Sequence, residues 1–206
     1  MNPPTNCQGC KRLVDYRKSV ETRFPDYHCK PVNTFGETSS RLLIVGLAPG
    51  LHGANATGIP FTGDASGELL FHCLEKYGLA DFEGHQVAPR FLDCRITNAV
   101  KCLPPLNKPI AAEINACNKF LNADISELAS NTIILALGRI AHNAIIKALQ
   151  KKQSDFRFGH HVEHALEDGK ILIDSYHCSR YNIQTGRLTV EQFEQIFSKI
   201  RTLLDQ

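Results

Sequence analysis

The sequence contains no long apolar run. A stretch of about 18 apolar residues, the length of a membrane-spanning helix, occurs nowhere in the 206 residues. The N-terminal segment also lacks the short apolar core of a secretory signal. We therefore expect a cytoplasmic protein that has no membrane partner.

The chain also lacks a strong charge excess, an internal repeat, a linker and a low-complexity tract. Its net charge of +2 neither excludes nor demands a nucleic-acid partner, because a phosphate-binding groove needs a local cluster of donors and not a basic total. The 43% hydrophobic and 21% charged residues are ordinary for a globular protein. We predict a single domain over residues 1–206, whose disordered-looking N-terminal segment is expected to bind a metal cluster.

Cysteine, by contrast, is plentiful, with eight in the chain. In a reducing compartment this favours metal or redox use over disulfides. Cys7 and Cys10 form a C-x2-C pair, and Cys102 and Cys117 lie further along the chain. Thiolates so spaced can bind zinc or an iron-sulfur cluster, and the long downstream gap favours iron-sulfur because zinc sites usually use two short knuckles. The alternative is four buried structural cysteines. Burial is the expectation for the others, which are Cys29, Cys73, Cys94 and Cys178.

Apolar runs alternate with amphipathic helical patterns, which is typical of a mostly parallel sheet covered by helices. We predict strands over 41–47, 95–101, 132–138 and 170–176 and helices over 67–77, 111–128, 139–150 and 189–204. The fold class is therefore α/β, a three-layer α/β/α sandwich around a mostly parallel four-stranded sheet. The polar, histidine-rich residues 151–168 are expected to form a hairpin or a surface excursion.

Ligands of such sheets bind beyond the carboxyl ends of the strands, where three polar loops are predicted. The first, residues 48–64, is rich in glycine but has neither the lysine of a phosphate-binding loop nor a dinucleotide-binding spacing. The second carries Asn98, whose amide suits the edge of a nucleobase. The third carries His177, followed by Arg180. A lone histidine at a strand end is as often structural as functional, but three polar loops at one edge indicate a site.

At these loops the chain resembles the type 5 (type b) uracil-DNA glycosylases, which are iron-sulfur members of the uracil-DNA glycosylase superfamily. The resemblance covers most of the chain and is carried by GLAPGLHGANATGIPFTGD at 46–64, ITNAVKCLPP at 96–105 with Cys117 after it, and HCSRYN at 177–182. Gly50 and Leu51 depart from the two alanines that often follow in the family. Ala48 stands where classical uracil enzymes carry a water-activating aspartate, which points to Asp64 as its substitute.

The resemblance implies roles for individual residues. Asp64 and His177 are the implied catalytic residues, with Asp64 positioning water and His177 stabilising the departing base. The implied substrate-binding residues are Gly46, Ala48, Pro49, Gly50, Phe61, Asn98, Ser179, Arg180 and Tyr181. Phe61 would stack on a flipped base and Asn98 would read its edge. Two simpler interpretations stay open, since Phe61 could belong to the core and Asp64 could cap a helix that begins near residue 65.

The resemblance also implies one [4Fe-4S] cluster on Cys7, Cys10, Cys102 and Cys117, with a structural role. The implied reaction is hydrolysis of the uracil N-glycosidic bond in DNA, by base flipping and water attack, leaving an abasic site. Hypoxanthine-containing DNA is a further expected substrate, and a monomer associated with the nucleoid is the expected state. Two alternatives are an iron-sulfur protein for electron transfer or redox sensing and a zinc-bearing hydrolase.

Overall fold

The structure is a computed structural model that describes residues 1–81 and 90–206. The strands are β1 Leu42–Gly46, β2 Ala80–Asp81, β3 Arg90–Phe91, β4 Cys94–Asn98, β5 Ile133–Leu137, β6 Glu163–Ala165 and β7 Ile171–Ser175. The helices are α1 Lys11–Arg23, α2 Ala54–Thr57, α3 Ala65–Lys76, α4 Ala111–Ser126, α5 Arg139–Ala148, α6 Arg180–Gln184 and α7 Val190–Leu204.

The central sheet has the order β4-β1-β5-β7-β6, and its first four strands are parallel. Alternate residues of β1 point to opposite faces, so Ile44 packs in one core with α3 and α7, and Val45 packs in another with α4 and α5. Both faces are therefore covered by helices. The predicted α/β/α sandwich and its four parallel strands are confirmed.

The sheet has a fifth strand that the sequence analysis did not predict. Strand β6 pairs antiparallel with β7, with Glu163 opposite Ile173. It lies in the polar segment that was expected to be a hairpin or a surface excursion. Glu163 and Ala165 are exposed and His164 is half-buried. An edge strand that buries so little apolar surface leaves no hydrophobic pattern in the sequence.

The N-terminal segment, which looks disordered in the sequence, contains helix α1 over residues 11–23. The helix buries Leu13, Val14, Arg17 and Val20. These positions lie on one face at helical spacing. A segment with such a buried face is held by packing against the rest of the domain, which its many charged residues conceal in the sequence.

The carboxyl ends of the parallel strands lie at the same edge of the sheet. The Ala99 N–H donates to the Gly46 carbonyl at 2.9 Å, and the Gly138 N–H donates to the Ser175 carbonyl at 2.8 Å. The three predicted polar loops begin or end here. Among the described helices, none is both long and apolar enough to cross a membrane.

Candidate active site and thiol cluster

A pocket of about 320 Å³ lies at the carboxyl edge of the parallel strands. Its volume is in the range of small-ligand pockets. It joins the three loops that the sequence singled out. The lining residues are Leu47, Ala48, Gly50, Ala54, Phe61, Asp64, Ser66, Asn98, Asn107, His177 and Ser179. Seven of the expected site residues therefore meet in one cavity.

Gly46 determines how closely two of these side chains approach the sheet. It pairs with Asn98 in the parallel ladder. A β-carbon at residue 46 would lie 2.5 Å from Asn98 Oδ1 and 2.5 Å from Phe61 Cζ. Only glycine leaves room for both groups. Gly46 thus supports the pocket from below and does not line it.

Phe61 belongs both to the core and to the pocket. It is buried and packs in the same apolar cluster as α3 and α7, yet its side chain also lines the cavity. Its backbone is left-handed, with φ of 59°. Its ring lies nearly parallel to that of His177, with centroids 6.2 Å apart. Phe61 therefore packs in the core, as one interpretation expected, and its ring also faces the pocket, where the other interpretation placed a stacking surface.

Asp64 caps α3, as one of the two interpretations expected. Its Oδ1 accepts from the backbone N–H groups of Ser66 at 3.0 Å and Gly67 at 2.9 Å. The other oxygen, Oδ2, faces the glycine-rich loop, because a β-carbon at Gly50 or Gly53 would lie 3.3 or 3.0 Å from it. One oxygen is thus used for capping, and the second is directed towards the loop that lines the pocket.

His177 follows β7 and carries an imidazole that lines the pocket. Burial lowers the pKa of His177 from its ordinary value, and the Asp64 carboxylate opposes this shift only in part. Its Nδ1 is buried and has no hydrogen-bond partner among the described residues. The loop is fixed by Asn182, whose Nδ2 donates to the His177 carbonyl at 2.8 Å, and by Cys178, whose thiol donates to the Ser66 carbonyl at 3.4 Å.

The remaining expected site residues lie outside the cavity lining. Pro49 is buried beside Ala48, whereas Arg180 is exposed and Tyr181 is 71% exposed. Both exposed residues directly follow Ser179, which lines the pocket. They therefore present their side chains to solvent near its mouth.

Four residues of the pocket lining were not expected from the sequence, namely Leu47, Ala54, Ser66 and Asn107. Asn107 is the most informative, because it comes from a fourth loop after two prolines. Its φ is 55°, as is that of Leu106, which is 85% exposed. A Pro-Pro pair followed by asparagine is a turn signal, but nothing in it says that the turn reaches the pocket.

Four cysteines distant in sequence meet behind the pocket. Cys102 and Cys117 are buried and form an apolar cluster against which Cys7 and Cys10 pack. Ala48 packs against the same cluster and also lines the pocket. Burial raises the pKa of Cys102 to about 12, so this thiol needs a metal to become a thiolate at neutral pH.

Four cysteine side chains gathered at one place can hold either a zinc ion or an iron-sulfur cluster. In the described part of the chain, His142, His164 and Asp174 form a separate group whose possible ligand atoms lie close together.

The other four cysteines are buried at separate places. Cys73, Cys94 and Cys178 lie in the core on the α3 side of the sheet, and Cys29 packs beside Val20 and Leu103. Their burial agrees with the expectation that they are apolar filler.

Comparison with known proteins identifies the class of this chain. The model of the uracil DNA glycosylase superfamily matches residues 33–201. The chain is 39% identical over 208 residues to a type-5 uracil-DNA glycosylase of Thermus thermophilus, which covers 97% of this chain and 94% of that protein. It is 37% identical to the type-5 enzyme of Pyrobaculum aerophilum, covering 97% and 89%. A type-4 enzyme of the same organism is 35% identical over 71% of this chain and 63% of its own length. The chain belongs to the uracil-DNA glycosylase superfamily and, within it, to the type-5 group.

Replacement of Gly67 tests how α3 supports the pocket. A β-carbon there would lie 2.7 Å from the carbonyl carbon of Phe61, which is backbone and cannot move aside easily. We expect Gly67→Ala to lower the free energy of unfolding by about 1–3 kcal/mol, the usual cost of overpacking. Glu68→Ala, at the next and exposed helix position, should change it by less than about 0.5 kcal/mol. Denaturant unfolding measures both, and equal values would show that Gly67 is not needed for the packing of Phe61.

Proposed function

We propose that this protein is a DNA-repair glycosylase that hydrolyses the N-glycosidic bond of uracil in DNA and leaves an abasic site. The observation that carries the proposal is one pocket that joins Phe61, Asp64, Asn98 and His177 in a chain of the type-5 group. The direct test is release of free uracil from a uracil-containing oligonucleotide. A protein that releases none with intact cofactor would overturn the assignment. Neither the electron-transfer alternative nor the zinc-hydrolase alternative is favoured by the family.

The pocket supports a mechanism in which the base leaves the duplex before it is cut. An enzyme that acts on a base must extrude it into a pocket, and a cavity of about 320 Å³ has room for one base. The Phe61 ring offers a stacking surface, and stacking of this kind contributes about 1–3 kcal/mol. The amide of Asn98, held over Gly46, can both donate to and accept from the base edge.

His177 is proposed to stabilise the base as it departs. A neutral imidazole donates one N–H, which can bind a base oxygen while negative charge develops there. The support is the place of His177 in the pocket lining, together with the pKa of its imidazole, which burial lowers from its ordinary value and so favours the neutral ring.

Asp64 is proposed to orient the attacking water. Its Oδ1 is occupied by two backbone N–H groups, so Oδ2 is the oxygen left to accept a hydrogen bond from water. The side chain lies at the exposed side of the pocket, where water can enter. Ala48 offers no carboxylate, and the glycines at 50 and 53 leave space beside Oδ2.

The surface around the pocket mouth is proposed to contact DNA. Ser179 is the candidate contact to phosphate, while Arg180 and the exposed ring of Tyr181 lie beside it in the chain. Leu106 projects from the neighbouring loop. Few phosphate contacts imply binding that weakens with salt along a shallow slope. We further propose that residues 1–206 act as one monomeric domain in the cytoplasm, associated with the nucleoid, and that hypoxanthine-containing DNA is also a substrate.

One [4Fe-4S] cluster is proposed on Cys7, Cys10, Cys102 and Cys117. The donor set fits it, since four cysteine thiolates are the usual ligands of this cluster and these four cysteines pack together. When bound, the cluster would cross-link the segment before α1 to β4 and α4. Hydrolysis moves no electrons overall, so we assign the cluster a structural role.

His177→Ala tests the chemical step. We expect the single-turnover rate of uracil release to fall by about 10²–10³, the range for loss of one preorganised donor to developing charge. Affinity for uracil-containing DNA should stay near that of the unchanged protein. Phe61→Ala should instead weaken retention of the substrate. A His177 variant with reduced affinity and a normal rate would assign this residue to binding alone.

Asp64→Asn separates capping from water activation. Asparagine caps helices about as well as aspartate, so α3 and the unfolding free energy should be preserved. If Oδ2 orients water, the rate of uracil release should fall and its pH dependence should change. Full activity of this variant would return the role of holding water to backbone carbonyls of the loop at Ala48.

Cys102→Ser tests the cluster. Because metal binding contributes folding free energy, loss of this ligand should lower iron content, colour, solubility and stability together. Cys73→Ser, at a buried cysteine away from the thiol cluster, should keep its iron and its brown colour. The measurements are the iron content and the visible absorption of both purified variants, compared with those of the unchanged protein. A colourless protein with one equivalent of zinc would contradict the proposal.

A further inference from the structure

Arg17 is a buried cation without an anionic partner. It lies on α1 with 6% of its surface exposed. Its guanidinium donates to two carbonyls, those of Cys29 at 3.4 Å and Cys7 at 3.2 Å. Its Nε is buried and makes no hydrogen bond, and no carboxylate of residues 1–81 or 90–206 forms an ion pair with it.

The other buried cations of the described chain are paired. Lys101 Nζ lies 2.8 Å from Asp124 Oδ2, and Arg95 lies 3.3 Å from Glu127 Oε2. Burial of a charge is unfavourable unless an opposite charge or a full set of hydrogen bonds compensates it. Arg17 has neither among the protein groups around it, so a missing anion is indicated at its position.

The groups beside Arg17 are the cysteines of the thiol cluster. The guanidinium donates to the backbone carbonyl of Cys7, one of the four, at 3.2 Å. Leu13, on the same helix as Arg17, packs in the apolar cluster that contains Cys102 and Cys117. As thiols these groups are neutral, but four thiolates around an iron-sulfur core carry net negative charge.

We propose that Arg17 is the counter-charge of the iron-sulfur cluster, so that the cation and the cluster compensate each other in the interior. The inference rests on the cluster proposed above. Arg17 is a positioning residue and not a ligand, since arginine has no acceptor for a metal. Outer groups of this kind typically change metal affinity by about 10–100-fold.

The first test is the rate of iron loss. Holoprotein is mixed with a strong iron chelator, and the decay of cluster absorption is followed. Arg17→Met, which keeps an unbranched, flexible side chain but removes the charge, should lose iron about 10–100-fold faster than the unchanged protein. Arg17→Lys should lose iron at an intermediate rate, because lysine keeps the positive charge but lacks the several N–H donors of the guanidinium group. Lys18→Met, which removes the same charge from an exposed neighbour, should lose iron at the unchanged rate.

The second test separates a counter-charge from a residue that only fastens two carbonyls. In holoprotein, Arg17→Met should lower the melting temperature. After removal of iron, the same replacement should raise it, because a buried charge without a partner is then removed. A role limited to the two hydrogen bonds predicts a lower melting temperature in both forms, and this outcome would overturn the proposal.

A third measurement covers the case in which the iron-free protein does not fold or Arg17→Met is insoluble. A nearby cation stabilises the more reduced, more negative cluster, so its loss should shift the reduction potential to more negative values. Arg17→Gln serves if the methionine variant fails, and Lys18→Met remains the control. Equal potentials and equal iron loss in all variants would reject the role of Arg17. Uracil release by the unchanged protein tests the proposed function separately.

Discussion

The parallel, in-register pairing of β1 with its neighbours is the constraint on which the site depends. It sets Gly46 opposite Asn98 and brings the carboxyl ends of four strands to one edge. A shift of one residue would turn Asn98 to the opposite face of the sheet. It would also place a side chain other than glycine under Phe61. The pocket is therefore a consequence of strand register, and its loops only complete what the sheet positions.

The thiol cluster and the pocket share the same part of the fold. Strand β4 ends at Asn98, and Cys102 follows only four residues later. Ala48 touches the thiol cluster and also lines the pocket. The segment after α1 is tied to the glycine-rich loop by Cys29, whose N–H donates to the Asn55 carbonyl at 3.1 Å. A metal that fastens α1 to this region would also stabilise the loop around the substrate. A metal in this role would support the site without transferring electrons.

An element of this fold could be predicted from the sequence when it buries enough apolar surface to leave a hydrophobic pattern. Three of the four parallel strands, β1, β5 and β7, consist mainly of Ile, Val and Leu, so their positions followed from the sequence. Strand β6 buries little, and α1 buries a face that includes Arg17, so neither gave an apolar pattern. Asn98 and His177 could be predicted because polar residues at strand ends point to a ligand. Asn107 could not, because its position depends on two successive left-handed residues. Arg17 could not either, since an arginine in a charged helix normally faces solvent.

The histidine-rich segment before β7 is joined to the site through a buried hydrogen-bond network. His142 Nδ1 lies 2.7 Å from Asp174 Oδ1, and its Nε2 lies 2.9 Å from the Phe156 carbonyl. Both side chains are fully buried, and each is compensated by hydrogen bonds to the other and to its neighbours. His164 of β6 binds the second oxygen of Asp174 at 3.1 Å. These bonds occupy the atoms that would otherwise suit a metal ion. Asp174 precedes His177 by three residues, so the network fixes the end of the strand from which the proposed catalytic imidazole projects.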